Sequence, residues 1–273
     1  MQRRKREIVG KEYTGMKILA IDSSGLVAGV AVAEGDTLIA EYTTNYKKTH
    51  SQTLLPMIDE VTKMIELDLT SVDAIAVSAG PGSFTGLRIG SATAKGLGLA
   101  LDKPLIAVPT VDALAMNLYG MDAYVCPLMD ARRSQAYTGI YTFVPEKPQE
   151  ESGSSALECA FRMQVLLPQC ALSIEEITER LNQLDEDKRI IFLGDGVPVF
   201  RERIAQQLNR PFAFAPLTCN RQRAASVALL AQRFAMEGKL ENARDHAPEY
   251  LRPSQAERQR KEAGEKAPAK ATC

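Results

Sequence analysis

The chain lacks the residues on which several common classes of protein depend. Its 273 residues include no tryptophan, only two histidines, and five cysteines without a CxxC spacing. An odd number of scattered cysteines argues against a disulfide framework and against a structural zinc site. No run of 18 apolar residues occurs, which argues against a membrane-spanning helix. The formal net charge is −1, so the chain as a whole exerts little electrostatic attraction on nucleic acid.

Both ends of the chain are polar. The first residues, MQRRKR, are basic but lead into no apolar stretch, so they do not resemble a signal peptide. Residues 1–15 and 255–273 are predicted to be disordered tails, and residues 145–155 a polar surface loop. With the unpaired cysteines, this composition predicts a protein of the reducing cytoplasm.

A β-rich pattern occurs twice. The apolar run KILAID ends in Asp22, and the run AYVCPLMD ends in Asp130. Further predicted strands follow each run, and helices follow those strands. This pattern predicts two related α/β lobes, although strands that end in aspartate are common and the two runs need not be related. The other predicted strands are 26–33, 37–43, 73–78, 104–108, 135–143, 161–167 and 189–193, and the predicted helices are 49–66, 87–101, 174–184, 199–208 and 222–236.

Two polar turns are candidates for a nucleotide or phosphate site. Backbone N–H groups and hydroxyls at strand ends can hold a phosphate, and an acid there can act through a metal ion or water. Aspartate, serine and glycine are also the usual residues of a polar turn, so both interpretations stay open. The candidate residues are Asp22, Ser23, Ser24, Gly194, Asp195 and Gly196.

The most unusual segment is SAGPGSFTGLRIG at residues 78–90, where a predicted strand meets a predicted helix. Its glycines permit close approach of the backbone to another group, and the helix N-terminus, with Ser83 or Thr85 as its cap, is suited to an anion. No lysine stands at the start of the helix, so the spacing does not match a P-loop. The segment therefore predicts close packing or an anion site, but not a P-loop NTPase.

One face of that predicted helix is nearly bare. Glycine or alanine recurs every four residues along it, and each glycine costs about 1 kcal/mol relative to alanine in a helix interior. Such a face indicates close packing, either on the chain's own sheet or on a second protein. Helix 49–66 carries Met57 and Met64 off its main apolar stripe, as an adaptable contact surface. The predicted partner interface consists of His50, Leu54, Leu55, Met57, Ile58, Val61, Gly86, Gly90, Ala94 and Gly98.

Four further polar residues bear on function. Arg132 and Arg133 follow the second acid-terminated run and suit either a phosphate or carboxylate ligand or a salt bridge to a neighbouring loop. His50 has no Cys, Asp or second His near it in sequence, which favours a cap or surface role over catalysis. His246 also lacks a partner near it in sequence, and we predict that it is structural or exposed.

Together these motifs resemble the TsaB (YeaZ) family of tRNA threonylcarbamoyladenosine biosynthesis. The matching pieces run in family order from residue 17 to about residue 257, and the glycine-rich segment is the most specific of them. The resemblance implies an α/β, two-lobed ASKHA fold, similar to actin and Hsp70, in which each lobe is a mixed sheet with flanking helices. We place the N-terminal lobe at 16–109, the C-terminal lobe at 110–220, and a C-terminal helix and ordered end at 221–254. The sequence segments that match the family are ILAIDSS, HSQTLLP, SAGPGSFTGLRIG, AKGLGLAL, PLIAVPTVDALA, PLMDARRSQAYTGIY, GDG and YLRPSQAE.

The resemblance also implies a role. In this family's system a TsaC-type enzyme makes threonylcarbamoyl-AMP, and a TsaD-type transferase, aided by TsaB and a TsaE-type ATPase, modifies tRNA. The transferase binds its metal through an HxxxH pair, where this chain has Thr110 and Leu114, neither of which can replace an imidazole. The resemblance therefore implies a non-catalytic subunit, without a metal, that binds and activates TsaD.

The same resemblance sets expectations for partners and cofactors. It implies a heterodimer with TsaD, a homodimer in isolation, indirect contact with tRNA, and ATP or ADP only at the level of the complex. One alternative is an ASKHA ATPase or phosphotransferase that uses Asp22, Ser23 and Gly194–Gly196, although no phosphate-loop lysine is evident. An M22-type glycopeptidase is a further alternative, which the missing HxxxH pair opposes.

Overall fold

The computed structural model describes residues 15–46, 48–146, 160–185 and 187–252. The predicted tails at 1–15 and 255–273 lie outside the described residues, except for Gly15. Most of the predicted loop at 145–155 also lies outside them, and its first two residues end a strand.

The first half of the chain forms a mixed five-stranded sheet in the order β3-β2-β1-β4-β5. The first three strands are an antiparallel meander, and the last two continue the sheet in parallel with β1. Two helices, α1 and α2, connect β3 to β4 and β4 to β5. The elements are β1 (Lys17–Asp22), β2 (Ala28–Glu34), β3 (Thr37–Thr44), α1 (His50–Met64), β4 (Ala74–Gly80), α2 (Phe84–Ala100) and β5 (Leu105–Pro109).

The second half repeats this topology. Its sheet has the order β10-β9-β6-β7-β8, with a central first strand, an antiparallel meander on one side and two parallel strands on the other. The predicted duplication and the ASKHA fold class are thereby confirmed. The elements are α3 (Thr110–Ala115), β6 (Tyr124–Asp130), β7 (Gln135–Glu146), β8 (Ala160–Ser173), α4 (Ile174–Asn182), β9 (Ile190–Leu193), α5 (Val197–Gln207), β10 (Phe212–Phe214) and α6 (Ala224–Met236).

Strand periodicity divides the core into three layers. Because side chains alternate across a strand, Leu19 and Ile21 of β1 pack beneath α1 and α2, whereas Ile18 and Ala20 face the second sheet. The core between the two sheets contains α3 and α6. A third core lies between the second sheet and the pair α4 and α5. The described helices include none with the length and apolarity that a membrane crossing requires.

The last helix in the sequence returns to the first lobe. The side-chain amide of Gln232 on α6 donates to the carbonyl of Gly35 at 2.7 Å. At the start of α6, the N–H of Ala225 donates to the Glu41 carboxylate on β3 at 3.0 Å, and Arg223 forms an ion pair with the same carboxylate. The chain therefore crosses from the second lobe to complete the first.

Several element boundaries differ from the sequence predictions. Helix α2 begins at Phe84 rather than at 87, because Ser83 caps it by accepting from the N–H of Gly86 at 3.3 Å. Thr110 is the first residue of α3, and Pro109 occupies the cap position. Strand β8 extends to Ser173, well past the predicted 161–167, because an edge strand tolerates its internal Pro168. The three residues of β10 are too few to show a period and were missed.

Candidate functional site in the cleft between the lobes

A cleft of about 640 Å³ opens between the lobes. It lies beyond the carboxyl ends of β1, β4, β6 and β9, which is where open α/β sheets bind ligands. Ser24 and the glycine-rich loop form the first lobe's wall, and Asp130, Arg132 and Asp195 line the second lobe's wall. The fold therefore brings one residue from each predicted nucleotide turn, Ser24 and Asp195, into one cleft.

The other two residues of the first turn are buried beneath the cleft. One carboxylate oxygen of Asp22, Oδ1, accepts from the N–H of Ser24 at 2.9 Å and from its hydroxyl at 2.6 Å. The hydroxyl of Ser23 donates to the carbonyl of Gly86 at 2.8 Å. These side chains thus hold the turn together and attach it to α2. Burial raises the pKa of the Asp22 carboxyl, and the hydrogen bonds from Ser24 oppose that shift only in part.

This turn requires glycines in α2 and, at Gly82, just before it. A Cβ atom at Gly82 or Gly86 would collide with the carbonyl oxygen of Ser24 or Ser23, and one at Gly90 would collide with the Ser23 hydroxyl. Of the two explanations for the bare helix face, the structure therefore shows packing on the chain's own residues. Further along the same face, a Cβ at Gly98 would lie 2.8 Å from the Cβ of Ala243.

The end of the described chain crosses the cleft, and we call residues 241–252 the C-terminal strap. The N–H of Glu249 donates to the carbonyl of Ala79 at 2.7 Å. The carbonyl of Glu249 approaches Gly80 so closely that no Cβ would fit there, and Gly80 has a positive φ of 129°. Arg252 donates from Nη1 to the carbonyl of Ala131 in the second lobe at 2.8 Å. The strap therefore joins both lobes and covers the glycine-rich loop.

The strap is held along the side of α2 by polar and aromatic contacts. His246 is buried, with Nε2 at 3.0 Å from the Ser91 hydroxyl and Nδ1 at 2.5 Å from the Glu241 carboxylate. The ring of Tyr250 lies 4.7 Å from that of Phe84 between centroids. Of the two roles predicted for His246, the structure shows the structural one. Its partners are far from it in sequence or on an irregular segment, so no local pattern indicated the strap.

The second predicted turn is tightly packed and includes one partly buried carboxylate, that of Asp195. The N–H of Gly196 donates to the carbonyl of Leu128 at 2.9 Å, and Gly194, with a φ of 108°, packs against that same carbonyl. Within the described residues, Oδ1 of Asp195 is buried without a hydrogen-bond partner. Burial raises the pKa of Asp195, while the guanidinium of Arg221 opposes the shift. The turn therefore contributes a single acidic group to the cleft.

Most of the predicted partner interface faces the chain's own core. Nε2 of His50 lies 2.9 Å from the carbonyl of Gly25, so this half-buried residue attaches the start of α1 to the first turn. Leu55 is 57% exposed and is the one predicted interface residue that faces outward. Met57, predicted to lie on a second apolar face, is in the core. The residues that are buried within the chain are Leu54, Met57, Ile58, Val61, Gly86, Gly90, Ala94 and Gly98.

The outer side of α1 and α2 nevertheless carries exposed apolar groups. Met64 is 74% exposed and Leu99 is 51% exposed, and Gly96 has open space where a Cβ would be. Both helices cover the same side of the first sheet. Met64 lines a groove with Tyr42 and Thr44 of β3, whereas Leu55, nine residues earlier, lies about half a turn around α1 from it. Sequence reasoning missed Leu99 and Gly96, because a helical period shows which residues cluster but not which cluster faces outward.

The two positions that correspond to the transferase's HxxxH metal ligands are both buried. Thr110 and Leu114 are buried in α3, in the core between the sheets. The described residues contain no cluster of three or more His, Cys, Asp or Glu side chains suited to a metal ion.

Comparisons with known proteins find similar sequences and structures. The family profile described as TsaD, tRNA N6-adenosine threonylcarbamoyltransferase, matches residues 37–260. The tRNA threonylcarbamoyladenosine biosynthesis protein TsaB of Bacillus subtilis is 31% identical over 242 residues, 89% of this chain and 96% of that protein. TsaB of Haemophilus influenzae is 32% identical over 63% of this chain and 69% of its own length. The solved structure of YeaZ from Pseudomonas aeruginosa has a TM-score of 0.67 at 25% identity, over 86% of this chain and 100% of that one.

Two glycines of α2 form a matched pair for testing the packing of this helix. Gly86→Ala places a methyl group against the Ser23 carbonyl and should destabilise the isolated chain by about 1–3 kcal/mol, as overpacking does. Gly96→Ala points into open space and should stabilise it by up to about 1 kcal/mol through helix propensity. Urea unfolding of both variants measures the difference. Equal stabilities would contradict the close contact between α2 and the turn.

The buried carboxyl of Asp22 makes stability depend on pH. Because burial raises its pKa above the usual 3.8, the folded chain holds this proton more tightly than the unfolded chain. Its contribution therefore favours folding at low pH and is lost as pH rises through the raised pKa. Asp22→Asn keeps Oδ1 as the acceptor for Ser24, so the variant should gain stability over the wild type across that rise in pH.

Urea unfolding at a series of pH values measures the effect at Asp22. The control is Asp36→Asn, which removes one carboxylate from an exposed turn. If both variants differ from the wild type by the same amount at every pH, burial of Asp22 is not the cause.

Proposed function

Because the chain belongs to the TsaB family of tRNA threonylcarbamoyladenosine biosynthesis proteins, we propose that it is the non-catalytic subunit that binds and activates a TsaD-type transferase. The observation that carries the proposal is the similarity to TsaB of Bacillus subtilis, which extends over 89% of this chain. The match to the transferase profile over residues 37–260 is compatible with this proposal, because it shows that the chain is similar in sequence to the transferase.

The geometry of the cleft favours an accessory role over the two alternatives. An ATPase or phosphotransferase needs an accessible acid near the phosphates, but the Asp22 carboxylate is buried and engaged by Ser24. The glycine-rich loop, which would have to approach a phosphate, is covered by the backbone of Glu249. A metal-dependent glycopeptidase would need ligands at Thr110 and Leu114, which are buried in the core.

The outer surface of α1 and α2 supports a protein partner. Leu55 and Leu99 expose apolar side chains on these helices, and exposed apolar side chains that form a patch mark interaction sites on soluble domains. Gly96 adds a position at which a partner's helix can approach the backbone closely. We propose that this surface binds the transferase and that, in isolation, it pairs two copies of the chain through a two-fold contact.

The rest of the reaction is assigned to the partners. In this proposal the TsaE-type ATPase handles ATP, and the assembled complex, rather than this near-neutral chain alone, binds tRNA.

Depletion of the protein from its own cells tests the proposed role. Mass analysis of tRNA nucleosides should then show loss of threonylcarbamoyladenosine, because the transferase would lack its activating subunit. Expression of the chain from a plasmid should restore the nucleoside. An unchanged level after depletion would remove the proposal.

Charge introduced on the outer surface tests where the transferase binds. The double variant Leu55→Glu, Leu99→Glu should weaken binding of the purified TsaD-type partner by about tenfold or more, because it places charges in a desolvated contact. The control is Leu217→Glu, at a residue that is 86% exposed in the second lobe. Calorimetric titration measures both. Equal affinities would show that the partner uses another surface.

A further inference from the structure

The hairpin between β6 and β7 has an unusual backbone that the proposed function leaves unexplained. Arg132, Arg133 and Ser134 have φ angles of 64°, 55° and 58°. Non-glycine residues in this left-handed region cost about 1–2 kcal/mol each. Strained residues of this kind persist only where their surroundings hold them, and they cluster at binding sites. We name residues 132–134 the arginine corner.

Contacts on the inner side of the hairpin hold the arginine corner in place. The N–H of Arg132 donates to the Asp130 carboxylate at 2.8 Å. The N–H of Gln135 donates to the carbonyl of Arg132 at 3.2 Å, and the N–H of Ala131 donates to the carbonyl of Gln135 at 2.9 Å. From the strap, Arg252 donates to the carbonyl of Ala131 at 2.8 Å. The carbonyls of Ala131, Arg132 and Gln135 are thus engaged within the hairpin and by the strap.

The outer side of the arginine corner presents donors. The Arg132 side chain is 84% exposed and lies 3.3 Å from Asp130 of its own turn, and Arg133 is also exposed. Within the described part of the chain, Arg133 forms no ion pair, and the N–H groups of Arg133 and Ser134 donate to no acceptor. Guanidinium groups beside free backbone N–H groups match the tetrahedral oxygens of a phosphate. The salt bridge to a neighbouring loop, which the sequence left open, is not what these residues form there.

We propose that the arginine corner binds phosphates of the tRNA backbone in the assembled complex, an inference that rests on the proposed function. Exposed ion pairs with carboxylates are worth little, typically about 0–1 kcal/mol, so an acidic protein surface would gain little here. A phosphate contact on RNA also releases condensed counterions, which gives each contact a salt-dependent gain. The corner therefore fits a nucleic-acid backbone better than an acidic protein.

Its position leaves the corner free when a partner is bound. The arginine corner belongs to the second lobe and lies at the cleft mouth, where Arg132 is part of the lining. Helices α1 and α2 cover the opposite side of the first sheet. The transferase and the tRNA can therefore contact the chain at the same time.

The test uses the purified complex of this chain with its TsaD-type partner and measures tRNA affinity over a series of salt concentrations. Removal of two phosphate contacts by Arg132→Gln, Arg133→Gln should weaken binding about 10- to 30-fold near physiological salt. It should also reduce the slope of log affinity against log salt by about 1.5–2. The double lysine variant keeps the charge and should retain most of the affinity and slope. The matched control, Arg201→Gln, Arg203→Gln, removes the same charge from the exposed side of α5.

Two outcomes would overturn the inference. In one, the corner variant changes tRNA affinity and salt slope no more than the α5 control does. In the other, it weakens binding of the transferase but not of tRNA, which would make the corner a protein contact. The single variant Arg133→Gln, at a residue without an ion pair among the described residues, guards against a folding defect and should lose about half of the slope change.

The nucleoside measurement distinguishes this inference from the proposed function. An unchanged threonylcarbamoyladenosine level after depletion would remove both. Loss of the nucleoside on depletion, with full tRNA affinity in the corner variant, would remove only the arginine corner.

Discussion

The backbone of α2 lies directly on the turn that follows β1, and the rest of the molecule is arranged around that contact. Glycines at 82, 86 and 90 leave no side chain between the helix and the carbonyls and hydroxyl of Ser23 and Ser24. The approach sets the position of α2 on the first sheet, which in turn determines which helix face is buried and which is exposed. It also brings the start of α2 to the mouth of the cleft, where the C-terminal strap docks.

The two lobes could move apart if nothing joined them at the cleft. The strap prevents this by holding the mouth of the cleft closed. Contacts at Ala79 and Phe84 attach it to the first lobe, and Arg252 attaches it to the second. Helix α6 strengthens the same connection, since it leaves the second lobe and packs on the first sheet. A cleft restrained in this way suits a subunit that offers fixed surfaces to partners better than one that must open and close around a nucleotide.

The two surfaces proposed for partners differ in physical character. The outer side of α1 and α2 carries exposed apolar groups, and its contribution to binding would come from removing Leu55 and Leu99 from water. The arginine corner is charged, and its contribution would depend on salt. The net charge of −1 means that such a corner acts locally, after another part of the complex has brought the tRNA near.

The sequence by itself determined most of the secondary elements and the repeated order of strands and helices. Alternating apolar residues in β1 and β6, helical periods in α1 and the acid at the end of each first strand are local signals, so they can be read without the fold. It also showed that the α2 face must pack closely, because glycine every four residues has no other ready explanation. The family resemblance followed from those same motifs.

Only the tertiary structure decided what lies against each face. Gly86 meets Ser23, Gly98 meets Ala243, and His246 meets Ser91, and each of these contacts joins residues that are more than 60 positions apart. Leu54 and Leu55 look alike in sequence, yet one is in the core and the other in solvent, because the rotation of α1 is set by the sheet beneath it. A period shows which residues share a face, whereas the neighbour of that face depends on the path of the whole chain.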